Sequence, residues 1–82
     1  MDKQKRTWGE IAREIRKTWN KVYFGAVPYL EAMATLTTSD KNEPYLFETA
    51  ESIVNYFLAN ATTWRGEDAR RIKAELRNML KD

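Results

Sequence analysis

Apolar residues recur at three- and four-residue intervals in four separate stretches of this 82-residue chain, which constrains it to amphipathic helices that must share one core. Trp8, Ile11, Ile15, Trp19 and Val22 form the first stripe, opposed by Arg13, Arg16, Lys17 and Lys21 with Glu10 and Glu14 between them. Thr7-Trp8-Gly9-Glu10 has the form of a capping box, so the first helix is expected to start there. Phe24-Gly25 should end it, because glycine is a poor interior helix former. Pro28 suits the first turn of a short second helix, about Pro28 to Leu36, with Tyr29, Leu30, Met33 and Leu36 turned inward.

The polar, turn-prone stretch from Thr37 to Pro44 reads as a loop. A third helix is expected over Tyr45 to Ala61, burying Phe47, Ala50, Ile53, Val54, Phe57, Leu58 and Ala61 and exposing Glu48, Glu51, Ser52 and Asn55. Thr62 to Gly66 forms the next break. The fourth helix carries Ala69, Ile72, Leu76, Met79 and Leu80 inward, opens on Glu67 and Asp68 and closes on Lys81, as the helix dipole favours. Four such segments joined by short links predict an all-α fold, a compact bundle with one core, occupying 1–82 as a single domain with 1–6 as a flexible basic tail. Trp8, Trp19, Phe47 and Phe57 are expected in that core, where a small protein needs large side chains.

The chain contains neither cysteine nor histidine. Disulfides, thiolate nucleophiles and zinc–thiolate sites are thereby excluded, as are the commonest metal ligand and the usual general base. Residues 1–20 are charged where a secretory leader would carry an apolar run, and no stretch approaches the roughly 20 apolar residues of a membrane-spanning helix. A cytoplasmic, soluble protein is expected, so the Asn60-Ala61-Thr62 glycosylation pattern is read as chance. Glu10/Glu14 and Glu48/Glu51 are carboxylate pairs at helical spacing, but they fall on polar faces and lack the Glu-x-x-His partners of a di-metal bundle. The three glycines match no phosphate-binding loop. The chain is expected to be neither an enzyme nor a cofactor protein.

Two segments carry a family likeness. Val22 to Met33 (VYFGAVPYLEAM) and Ser52 to Leu58 (SIVNYFL), the latter followed by Trp64-Arg65-Gly66-Glu67, resemble small helical proteins encoded in phage and prophage genomes. The resemblance spans most of the chain and implies a phage origin, hence a bacterial host cytoplasm, with no activity, cofactor or binding residues attached to it.

Charge is unevenly distributed. Residues 1–23 carry a net +4, residues 24–61 a net −4 and residues 62–82 a net +2. Arg70, Lys73, Arg77 and Lys81 would form a positive stripe on the fourth helix, to which Arg13 and Lys17 of the first could add, and such a surface can neutralise phosphates. A solvated face complementing the acidic third helix is the preferred explanation of the stripe, and Glu48 and Glu51 oppose a helix-turn-helix reading. The favoured expectation is a protein-interaction module, a phage-encoded regulator occupying a surface on another protein. Its contact residues would be the aromatics left over from the core stripes, Tyr23, Phe24, Tyr45, Tyr56 and Trp64, for which closing the ends of the bundle is an equally good reading. Nucleic-acid binding is the alternative, and homodimerisation is compatible with either.

Overall fold

A computed structural model describes residues 5–81. The first helix, α1 (Trp8–Thr18), begins as its sequence requires. The Thr7 hydroxyl accepts from the Glu10 N–H at 3.1 Å and the Glu10 carboxylate accepts from the Thr7 N–H at 2.8 Å, closing the capping box. The helix stops at Thr18, short of the apolar stripe, which was expected to run on to Val22. Trp19 has already turned to an extended conformation (φ −109°, ψ 93°), which carries its indole onto that of Trp64, with ring centroids 5.3 Å apart and planes within 9°. Tertiary stacking between two large rings here outweighs continuation of the stripe.

A 3₁₀ turn (Phe24–Ala26) runs directly into α2 (Val27–Ala34), with Pro28 in the first turn. After the 35–43 loop comes the main departure from a purely helical fold. Residues 44–49 form an antiparallel hairpin, β1 (Pro44–Tyr45) and β2 (Glu48–Thr49), in register Pro44↔Thr49 and Tyr45↔Glu48. Helix α3 is therefore Ala50–Ala59 and not a helix from Tyr45. Thr49 sets the boundary, its hydroxyl accepting from the Ser52 N–H at 3.4 Å. The N–H groups of Ala50 and Glu51, which an intrahelical ladder cannot satisfy, donate to the loop carbonyls of Glu43 and Lys41. Helix α4 (Glu67–Lys81) follows as its periodicity predicts.

The protein is thus mostly helical, with four α-helices and one small two-stranded sheet among the described residues. Trp8, Ile11 and Ile15 of α1, Leu30 and Met33 of α2, Val54 and Phe57 of α3, and Ile72 and Leu76 of α4 meet in one continuous core. Phe47, expected among them, is instead fully exposed at the hairpin tip. Outside the core, Arg6 donates to Glu75 at 2.6 and 3.0 Å and to Glu14 at 2.7 Å, and Arg71 donates to the second oxygen of Glu14 at 2.7 Å. This network ties the N-terminal segment and α1 to α4. Hydrogen bonds from Arg71 and Arg6 hold the Glu14 carboxyl below its usual pKa range; bonding to Glu75 and then Glu14 pushes the Arg6 guanidinium up, and bonding to Glu14 and then Asp68 does the same for Arg71. Of the tail expected over residues 1–6, 1–4 lie outside the described residues, whereas Arg6 is engaged as above.

Candidate interaction surface

The hairpin is the element that creates the candidate site. Its turn residues, Leu46 and Phe47, are 82% and 103% exposed, the most exposed large apolar side chains among the described residues. Leu46 also has a positive φ of 54°, at the first central position of a two-residue turn, where a type II′ hairpin ordinarily places glycine. A leucine there costs on the order of 1 kcal/mol in backbone strain. Local stability alone would favour a polar, glycine-containing turn, and this one presents two apolar side chains to water.

Beside the tip lies an open groove of about 550 Å³ between the hairpin, α2 and α3. Helix α2 contributes Pro28, Tyr29 and Ala32, α3 contributes Ile53 and Tyr56 one turn apart, and the cross-strand pair Tyr45 and Glu48 forms the hairpin wall. Tyr29 and Tyr56 stack with centroids 5.3 Å apart. One helical turn before Pro28, Phe24 is 80% exposed and packs on Tyr23 at 4.9 Å between centroids.

Four of the five residues expected at a partner surface therefore remain accessible. Tyr45 and Tyr56 line the groove, and Tyr23 and Phe24 form a pair at the 3₁₀ turn. Trp64 is corrected to the core, being 3% exposed, stacked on Trp19 and edge-on to Phe57. Tyr29 packs against the core as expected and also lines the groove, a second role that helical spacing does not reveal, and sequence reasoning does not place Leu46 and Phe47 at the surface site. The overlooked signal was Thr49-Ala50-Glu51-Ser52, a better helix start than Tyr45 because it supplies a capping hydroxyl and an acidic first turn.

The basic residues are less uniform than their spacing implies. Arg13 and Lys17 on α1 and Arg70, Arg77 and Lys81 on α4 are exposed. Lys73 is directed inward, donating to the carbonyls of Ala61 and Trp64 at 2.7 and 2.8 Å, with its ammonium 5.8 Å from the Trp64 ring centroid. Burial, with Arg77 and Arg65 nearby, lowers its pKa. The stripe is thus broken at its second member, and the Glu14 and Glu75 carboxylates lie on the α1 and α4 sides facing Arg6. Among the described residues no group of three or more acidic side chains is placed to hold a metal ion, and no helix is long and apolar enough to cross a membrane. No family model matches the chain, and no curated protein or solved structure matches it either.

Proposed function

We propose that this chain is a protein-interaction module that docks another polypeptide on the face made by the hairpin, α2 and α3. The observation that carries this reading is the tip Leu46-Phe47, two exposed apolar side chains on a strained turn beside an aromatic groove. Covering each of them would contribute about 1.5–3 kcal/mol, and aromatic side chains are the commonest anchors of protein interfaces. The likeness to small helical phage and prophage proteins suits a regulator that works by occupying a partner's surface in a bacterial cytoplasm, without catalysis or cofactor.

The alternative, nucleic-acid binding through Arg13, Lys17, Arg70, Arg77 and Lys81, is separated by site-specific photocrosslinking in the cell that carries the protein. A benzoylphenylalanine at position 47 should trap a discrete polypeptide, and the same group at position 77 should not. Nucleic-acid adducts from position 77 with none of protein from position 47 would reverse the assignment.

A further inference from the structure

Resting on that reading, we infer that the groove takes a cationic side chain, arginine above all, from a basic segment of the partner protein. Three of the chain's four tyrosines, Tyr29, Tyr45 and Tyr56, line it. Tyrosine faces attract cations through the ring quadrupole, and a planar guanidinium can also stack on them. Glu48 stands in the same wall, opposite Tyr45 across the hairpin, and supplies the carboxylate that such a head group needs.

The charges around the groove point the same way. Among the described residues no lysine or arginine lines it, and Glu48 is its one acidic side chain. Residues 24–61 contain one cation, Lys41, and its ammonium donates to the Leu80 carbonyl at the end of α4. Glu43 is turned away, its carboxylate accepting from Thr37 and Thr38. An anionic ligand would meet the Glu48 carboxylate with no lining cation to offset it. A basic segment with an apolar residue beside its arginine satisfies groove and hairpin tip together.

The test is an NMR titration of the whole protein with N-acetyl-arginine amide, alongside the isosteric neutral N-acetyl-citrulline amide. The arginine probe should shift the ring resonances of Tyr29, Tyr45 and Tyr56 saturably, with a dissociation constant on the order of millimolar. Glu48→Gln and Tyr56→Leu should each weaken it by about two- to fivefold, and citrulline should bind more weakly than either variant binds arginine. Equal shifts from citrulline, an unchanged constant in Glu48→Gln, or arginine-induced shifts confined to the Glu14–Glu75 cluster would overturn the inference. Those results leave the crosslink from position 47 intact, so the cationic occupant can fail while the docking face stands.

Discussion

Gly9 shows how a single missing methyl group fixes the relation of two helices. A Cβ built there would lie 2.6 Å from the Leu36 carbonyl oxygen and 3.2 Å from that of Ala34, both main-chain atoms that no rotamer change can move aside. The glycine thus lets α1 pack directly on the end of α2, while the Trp8 N–H donates to the Thr38 carbonyl beyond it. Gly9→Ala should cost about 1–3 kcal/mol, the usual penalty of overpacking, despite alanine's better helix propensity. A urea midpoint equal to or above that of the unmodified protein would show that the two backbones can separate. In the sequence Gly9 is only the third position of a capping box, and nothing local distinguishes it from a dispensable residue.

At the scale of elements, the loop before the hairpin depends on one carboxylate. Glu43 accepts from the N–H groups of Thr37 and Thr38 at 3.0 Å each and from the Thr38 hydroxyl at 2.6 Å. Partial burial raises its pKa, but the hydrogen bonds from Thr38 and Thr37 outweigh that effect and leave it below the ordinary 4.5. A carboxyl with a depressed folded-state pKa contributes stability above its unfolded value and loses it as the pH falls through the folded one. Glu43→Gln should therefore be less stable by about 1–2 kcal/mol near neutrality, with the deficit shrinking as the pH falls below the ordinary carboxyl range. Urea titrations across that range measure it, and a pH-independent deficit would contradict the clamp. The same region marks the limit of what periodicity reveals. Helix α1's start, Pro28 in α2's first turn and all of α4 follow from local caps and spacing. The hairpin does not, because Phe47, Ala50 and Val54 keep helical spacing whether or not residues 45–49 are helical. The choice is made by Thr49 as a cap and by the Glu43 and Lys41 carbonyls, partners that no window along the chain brings together. Trp64 failed for the converse reason. Sitting between helices it looked like a surplus aromatic, but Trp19, 45 positions earlier, bends out of α1 to meet it.

Over the whole molecule, the aromatic residues divide by location. The indoles of Trp8, Trp19 and Trp64 are all buried, the first with its ring N–H donating to the Asp40 carbonyl, the other two stacked on each other. Tyr23 and Tyr56 are exposed, and Tyr29 and Tyr45 are half-buried at the groove. This partition gives the protein two independent optical reporters. Tryptophan emission senses the integrity of the fold, whereas near-ultraviolet tyrosine signals sense what enters the groove. Occupation of the groove should change the tyrosine absorption difference spectrum and leave the indole emission maximum where it is; denaturant should shift that maximum to the red. A partner that displaced the emission maximum would be opening the bundle rather than resting on it, so the stacked pair Trp19–Trp64 lets one cuvette distinguish docking from remodelling.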